Sequence, residues 1–347
     1  MKVRTLADFA ERVGSSIQRY LADISETILK DNHFETGAAT AESETPTIDI
    51  VAEPTAEQRL WEIEVAKKAE EINSQREPRE QIKDLGSLQR IESPQDKCCY
   101  ISIDDIGVKH QKETRKNGGS KSAKIVENTV IHIQAGEGSY CLAASGMDNA
   151  FRILMAFLLS NNLLPEYSLV FFADGAKSIK NHIEKYFSLH PYILVLDWYH
   201  LKKRCKELIS SSLNGTKEQK KDDIQCLLRM LWVGNVKEAV SFINSLSGSR
   251  IKSSYWLGEL TAYLERKEPQ IVCYALRQGL GLRISSNRVE KTNDLLVAQR
   301  QKHSGMSWSF EGSNSLASIS MVMLNNESDQ WLRSHSLSFS IPQKSAA

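Results

Sequence analysis

The chain has 347 residues with 44 basic and 43 acidic side chains, and 41% of its residues are hydrophobic. A formal charge of +1 excludes a globally basic, histone-like nucleic-acid binder, so any contact with DNA must come from local basic patches. There is no run of about 18 apolar residues, no apolar signal segment at the N-terminus and no C-x-x-C pair among the six cysteines, which predicts a soluble, cytoplasmic protein with reduced thiols.

The first 95 residues divide into two regions by composition. Residues 1–32 repeat apolar side chains at three- and four-residue steps, which predicts an amphipathic helix and an N-terminal region of residues 1–34. Residues 35–59 hold six acidic residues and one basic residue, a composition typical of a disordered linker. Residues 55–84 alternate in charge and predict a polar helix that is solvated or binds a partner rather than joining a core. Linker and helix together form the second region, 35–95.

From Cys98 onward the pattern is typical of an α/β domain. Strands are predicted at 99–105, 126–134, 138–145, 168–173 and 192–196, and helices at 148–161, 176–188, throughout 201–275 and at 284–300. Strands 168–173 and 192–196 are continuously apolar, which indicates burial on both faces of a sheet. Three hairpin-type strands followed by alternating strands and helices predict a mixed sheet.

Acidic side chains follow three of these strands. Asp104 and Asp105 end the first strand, Asp174 follows the fourth and Asp197 the fifth. Ligands gather beyond the carboxyl ends of strands in open α/β sheets, so these acids can converge there. Converged carboxylates repel one another unless a hard cation such as Mg²⁺ lies among them, and two such ions can drive phosphoryl transfer. Each acid taken singly is better explained as a turn residue or a helix N-cap, and it is the coincidence of three strand ends that favours a shared site.

Glu290 lies where a further helix is predicted to begin. Ser286 or Asn287 would be its N-cap, which places Glu290 in the first turn. There it could be a capping-box acid that faces the helix dipole, or a helical ligand that faces a metal cluster. The spacing does not decide between these two roles.

Five segments together resemble one enzyme family. They read ISIDDIGV (101–108), FFADGA (171–176), LDWYH (196–200), RVE (288–290) and RQKHSGMSWSFEG (300–312). Over residues 96–325 this combination resembles the bacterial insertion-sequence DDE transposases related to the Mutator group. Two departures stand out: Asn287-Arg288 replaces the usual small residue before the glutamate segment, and Asp104-Asp105 offers two choices for the first aspartate. Strand alternation puts Asp104 on the face of Tyr100 and Ser102, so we choose Asp104.

The resemblance implies a fold, a site and a reaction. The fold is RNase H-like, with a core of residues 96–200 and 281–325, an all-helical insertion at 201–280 and a C-terminal tail at 326–347. Asp104, Asp174 and Glu290 would be catalytic and hold Mg²⁺ (or Mn²⁺), with Asp105, Asp197 and His200 as accessory residues. The reaction would be DNA cleavage and strand transfer on double-stranded transposon ends and target DNA. The enzyme would be a homo-oligomer on DNA in the bacterial cytoplasm, associated with the nucleoid.

Basic side chains near these acids are candidate DNA contacts. One group lies in the loop between the first two strands, and another lies beyond Glu290. These residues are Lys109, Lys112, Arg115, Lys116, Lys121, Lys124, Arg300 and Lys302. A further basic run (Lys202, Lys203, Arg204, Lys206) is predicted to be a solvated helix face.

Other side chains have structural explanations of their own. His200 is a metal neighbour, a proton carrier or a packed histidine bonded to Asp197. Met306 is predicted to pack the glutamate helix onto the sheet together with Trp308. Four tryptophans are predicted to be core residues rather than base-stacking platforms, namely Trp198, Trp232, Trp256 and Trp308.

Two alternatives to a transposase stay open. Residues 1–95 have no cysteine–histidine finger and no clear helix-turn-helix, so the chain could be a truncated or decayed copy that only binds DNA. An RNase H-like nuclease is the other, although a minimal nuclease does not need the long helical insertion or the Gly-Met-x-Trp segment.

Overall fold

The computed structural model describes residues 3–34, 55–83, 91–93, 96–111, 125–246, 248–302 and 306–342. They form two compact units, each built from separate stretches of chain. Unit 1 holds the described residues of Met1–Glu42, Lys97–Tyr192 and Ser286–Ala347, and unit 2 those of Ser43–Asp96 and Ile193–Ser285. The linker prediction for 35–54 lies outside the described residues. No helix in the described part of the chain has the length and apolarity needed to cross a membrane.

One five-stranded mixed sheet forms the β structure. The strands are β1 Cys98–Lys109, β2 Ile125–Ala135, β3 Gly138–Ala144, β4 Ser168–Ala173 and β5 Tyr192–Leu196. Their order is β3-β2-β1-β4-β5, with β2 antiparallel to both β1 and β3, and β4 parallel to β1. This arrangement confirms the predicted mixed, RNase H-like sheet. The boundary between the two units falls after Tyr192, the first residue of β5.

The helices follow in chain order. They are α1 Val3–Asp31, α2 Ala56–Ser74, α3 Met147–Ser160, α4 Leu163–Glu166, α5 Lys177–Phe187, α6 Trp198–Ser212, α7 Lys217–Trp232, α8 Val236–Asn244, α9 Ser254–Lys267, α10 Tyr274–Gly279, α11 Asn287–Asn293, α12 Gln299–Gln301, α13 Phe310–Leu324 and α14 Ser328–Ser334. Between α11 and α12 the chain forms a π-helical stretch, Asp294–Ala298. Within 201–280 the described residues form helices and no named strand, as the predicted all-helical insertion requires.

In unit 1, α1 packs along α13. Its buried line passes through Gly14, Ile17 and Leu21. A Cβ on Gly14 would lie 2.4 Å from Ser315 Cα, so the two helix backbones approach closely there. The predicted apolar face is correct at Ile17 and Leu21, but Leu6 and Phe9 near the start of the helix are exposed.

In unit 2, the prediction that the polar helix stays out of a core is wrong. Val65 and Ala69 of α2 are buried in a cluster with Ile82, Val233, Ala275 and Leu276. The apolar stripe of α2 is narrow, because it consists of Val65 and Ala69 one turn apart, and much of the rest of the helix surface is charged. The alternating charges of the sequence therefore do not reveal this stripe. It also ends at Ser74, ten residues before the predicted end at 84.

A buried ion pair lies in the same unit. Arg277 of α10 is fully buried and donates two hydrogen bonds to the carboxylate of Glu92, at 2.7 and 2.6 Å. Its Nε also donates to the carbonyl of Arg283 at 2.7 Å. The guanidinium therefore joins residues 91–93 to the segment that follows α10.

Candidate functional site

β1 does not end at the two acids, so the prediction of a strand end there is wrong. The strand continues four residues beyond Asp105, to Lys109, because its antiparallel pairing with β2 extends to the Lys109–Ile125 pair. Parallel pairing with β4 stops earlier, at the Ser102–Phe172 pair. Asp104 and Asp105 therefore lie just past the parallel part of the sheet, on a β1–β2 ribbon that extends beyond it.

The register aligns two of the predicted acids. Two residues beyond the Ser102–Phe172 pair are Asp104 on β1 and Asp174, which follows β4 directly. Neighbouring strands are about 4.8 Å apart, so residues at the same level of adjacent strands are within reach of a shared ligand. Asp174 thus lies at the carboxyl end of β4 as predicted, and Asp104 is level with it.

Asp104 is bonded to the helix that carries Glu290. The Nδ2 atom of Asn293 donates to Asp104 Oδ2 at 2.6 Å. Asn293 follows Glu290 by three residues in α11, which puts both on one helix face. The sequence analysis did not identify Asn293. Its spacing of three residues from Glu290, which puts both on one helix face, was the feature that could have identified it.

The other polar atom of the Asn293 side chain is its carbonyl oxygen, Oδ1, which is buried. Asn293 is buried, and among the residues that the structure describes no donor reaches its Oδ1. A buried carbonyl oxygen with no hydrogen bond is costly. Next to Asp104, it is a hard-oxygen donor of the kind that Mg²⁺ accepts.

Asp105 points to the opposite face of β1. Thr129, its partner on β2, donates from Oγ1 to Asp105 Oδ1 at 2.6 Å. Desolvation of the carboxylate raises its pKa, and the negative charges of Glu127 and Asp174 add to the rise, while Thr129 and His182 act against it. Sequence reasoning did not identify Thr129 or His182.

Asp174 also serves a local turn. Its Oδ1 accepts the N–H of Ala176 at 2.7 Å, and Gly175 has φ +88°, a conformation that favours glycine. The turn explanation is therefore correct for one carboxylate oxygen. The same turn fixes the carboxyl group at the end of β4, before α5 begins at Lys177.

Glu290 lies in the first turn of α11, as predicted. Ser286 is the N-cap residue, but no side-chain capping bond is present at this helix start, so a capping box does not explain the glutamate. The π-helical stretch begins directly after Asn293. Such stretches add a residue to one helical turn and are frequent at functional sites.

Asp197 and His200 lie in unit 2. Asp197 is fully buried, follows β5 directly and caps α6 by accepting the backbone N–H of His200 at 2.9 Å. The N-cap explanation of this acid is correct. The hydrogen bond from His200 to Asp197 is donated by the backbone N–H.

The candidate DNA contacts are only partly described. Lys109, Arg300 and Lys302 are exposed. The others, Lys112, Arg115, Lys116, Lys121 and Lys124, lie outside the described residues.

The Gly-Met-x-Trp segment joins β1 to α12. Trp308 exchanges backbone hydrogen bonds with Lys109 and Gln111, and its indole donates to the carbonyl of Gln301 at 3.2 Å. The prediction that Met306 packs here is wrong, because its side chain is 45% exposed. Trp308 therefore ties the end of the glutamate segment to the sheet without help from Met306.

Comparisons with known proteins give little further information. No family model and no curated protein matches the chain. A solved structure that matches is a Drosophila P element transposase strand transfer complex, with 13% identity over 73% of this chain and 70% of that chain and a TM-score of 0.25. At this identity and TM-score the likeness assigns neither a family nor a function.

Proposed function

We propose that this chain is a DDE transposase, related to the Mutator group of insertion-sequence enzymes, that cuts and joins DNA. The observation that carries the proposal is the alignment of two acids in unit 1 and the bond from one of them to the helix of a third. Asp104 and Asp174 are level on neighbouring parallel strands, and Asn293 bonds Asp104 to the helix that carries Glu290. The sequence motifs that resemble this family supply the same three residues.

The donor set fits Mg²⁺ or Mn²⁺. All candidate ligands are hard oxygens, and the buried Oδ1 of Asn293 is an additional oxygen donor beside Asp104. Asp104, Asp174 and Glu290 would hold the metal. When bound, two ions would stabilise the charge that develops on the scissile phosphate.

The remaining residues position these groups and the DNA. The Asn293 amide fixes the orientation of the Asp104 carboxylate, and the Asp174–Ala176 turn does the same at β4. Lys109, Arg300 and Lys302 are exposed cations that would contact backbone phosphates of double-stranded DNA. Asp105, Asp197 and His200 would be accessory, and the enzyme would act as a homo-oligomer on transposon ends and target DNA in the bacterial cytoplasm.

The test is cleavage and strand transfer on DNA that carries the repeats flanking this reading frame. Mg²⁺ is compared with EDTA, and wild type with Asp104→Asn and Asp174→Asn. We expect nicking and joining to depend on the metal and to fall at least about a hundredfold in both variants, because each removes charge from the metal site. Asp105→Asn changes the neighbouring carboxylate, which bonds Thr129 and not Asn293, and should keep activity within about tenfold.

The possible results separate the alternatives. Nicking of branched DNA without joining would replace the proposal with an RNase H-like nuclease. Binding of the ends without chemistry, by wild type as well as by the variants, would indicate a decayed copy that only binds DNA. Equal loss of activity in Asp104→Asn and Asp105→Asn would contradict the assignment of the first aspartate.

A further inference from the structure

Unit 2 contains a groove that the proposed reaction does not use. It is a cavity of about 880 Å³, bordered by α6, α7 and the residues that follow α2. Pockets of this volume hold ligands up to the size of a large nucleotide. Every residue that lines the groove belongs to unit 2.

The lining of the groove is strongly basic. It includes seven basic side chains and one acid, Glu80, which pairs with Arg229 at 2.6 Å. The other six are Arg76, Lys202, Lys206, Lys217, Lys220 and Lys221. Half of the basic run predicted to be a solvated helix face thus lines this groove.

These lysines form two rows. Lys202 and Lys206 are one turn apart on α6, and Lys217 and Lys221 are one turn apart on α7. Successive lysines in a row are about 6 Å apart along the helix. Lys220 Nζ donates to the carbonyl of Ser210 and so joins the two helices. Across the described residues, none of the four lysines in the rows is in an ion pair, so their charge is available to an anion.

Aromatic rings line the same groove. Trp198 and Trp232 are half-buried there, with ring centroids 4.7 Å apart and planes at 63°. Trp232 stacks in turn on Tyr274, at 6.0 Å and 18°. The tryptophans are therefore partly core residues, as predicted, but each also presents a surface to the groove. Trp256, predicted to be core, is exposed.

We infer that this groove binds an unpaired stretch of a DNA strand, with the phosphates on the lysine rows and a base against the tryptophans. Basic grooves with aromatic walls are the usual design of single-strand sites, because every base has a face that can stack. Two rows of separate lysines match a chain of phosphates better than the single cluster of a free nucleotide. The bases of a single strand are free to stack on a tryptophan, whereas those of a duplex are already paired and stacked on one another. The choice of DNA as the source of the phosphates rests on the proposed function.

The test is fluorescence anisotropy with a fluorescein-labelled 12-nucleotide single strand at several salt concentrations. The variant is Lys206→Glu with Lys221→Glu, one exposed lysine from each row, so folding should be unaffected. We expect the affinity to fall at least tenfold. The slope of log affinity against log salt should become shallower by about 0.7 for each phosphate that the variant no longer neutralises.

The matched control is Lys203→Glu with Lys237→Glu. These two exposed lysines belong to the same unit but do not line the groove. The control should bind within about threefold of wild type. Equal binding by the groove variant and the control would overturn the inference, and so would a duplex of the same length binding as tightly through the groove lysines.

Two further arms separate the groove from the catalytic proposal. Asp174→Asn should bind the strand as wild type does. Loss of cleavage with intact groove binding would therefore leave the inference standing whether or not the transposase proposal holds.

If inorganic triphosphate or ATP displaces the strand at equal phosphate concentration, the ligand is a small phosphate compound and not DNA. Quenching of tryptophan fluorescence by the unlabelled strand should weaken in Trp232→Phe, and unchanged quenching would exclude base contact.

Discussion

Asp104 and Asp105 are adjacent in sequence, yet they face different surroundings. Asp104 contacts the glutamate helix through Asn293, whereas Asp105 contacts Thr129 on the next strand. The alternation of side chains along a strand separates them. Asp104 is the one that is bonded to the helix of Glu290, so the two carboxylates should differ in their effect on activity.

The raised pKa of Asp105 predicts a pH dependence of stability. In the folded chain this pKa lies above its ordinary value of 3.8, so the group favours folding below that pH, and the contribution is lost as the pH rises through the raised value. Asp105→Asn keeps an acceptor for Thr129 but cannot ionise. Urea unfolding from pH 3.5 to 7.5 should show the variant gaining stability relative to wild type as the pH rises.

A relative stability of Asp105→Asn that falls with rising pH would mean that the Asp105 pKa is lowered instead. A flat difference would mean that the folded chain leaves its ionisation unchanged.

The sequence analysis identified the charged residues of the site but not the uncharged residues that are bonded to them. Strand alternation correctly separates Asp104 from Asp105, because the period of two depends only on local backbone geometry. Asn293 and Thr129 are ordinary polar residues, and nothing in their immediate sequence indicates what they touch. Their roles follow from pairings across 189 and 24 residues, respectively.

At the scale of elements, the contact between α1 and α13 depends on a glycine. A methyl group on Gly14 would collide with the backbone of Ser315, which belongs to the facing helix and cannot move aside as a flexible side chain could. Gly14→Ala should therefore destabilise unit 1 by about 1–3 kcal/mol, despite the higher helix propensity of alanine. Thermal or urea unfolding measures this.

Gly258 in α9 is the matched control. It is also a helical glycine, but among the described residues no atom lies within 4 Å of an added Cβ. Gly258→Ala should stabilise unit 2 by about 0.5–1 kcal/mol. Stabilisation by both substitutions would show that α1 does not pack this closely on α13.

The buried ion pair gives a second prediction for elements. Glu92→Gln leaves the Arg277 guanidinium buried without its counter-charge, which should cost about 3–5 kcal/mol of unfolding free energy. The double variant Glu92→Leu with Arg277→Met removes both charges and should recover most of that stability. If the double variant is no more stable than Glu92→Gln, packing rather than charge determines the effect.

The short buried strands and their helices were predictable almost to the residue. β4 and β5 match their predicted bounds because continuous apolar runs end at turn residues. β1 is longer than predicted, since its last residues are held by pairing with β2, which local sequence does not reveal. The buried seam of α2 was not predictable either, because its partners Val233 and Leu276 lie more than 160 residues away.

At the scale of the whole molecule, basic and acidic side chains are nearly equal in number but are concentrated in different places. The formal charge is only +1, yet unit 2 concentrates basic side chains along one groove while unit 1 collects acids at the end of its sheet. On the two proposals made above, unit 2 would bind DNA and unit 1 would act on it. Its total charge gives no sign of either property.

Metal binding should be measurable on the whole chain without DNA. At tenfold excess over its Kd, Mg²⁺ would add about 1.4 kcal/mol to the stability of the folded state. The transition of unit 1 should then rise by a few degrees, and EDTA should reverse the change. Asp104→Asn should abolish the shift, whereas the Lys206→Glu and Lys221→Glu variant should keep it. A shift of equal size in Asp104→Asn would place the metal elsewhere.

The division of the chain also determines the order in which the molecule can fold during synthesis. Unit 2 has its last residue at Ser285, whereas α1 must wait for α13, which begins 279 residues after α1 ends. At about 5–20 residues per second, that wait is roughly 15–55 s. During this time the apolar line of α1 has no cover from α13, and the edge strand β3 also lacks this cover from the moment it is made. The nascent chain therefore needs protection from aggregation at its first helix until its last helices have been made.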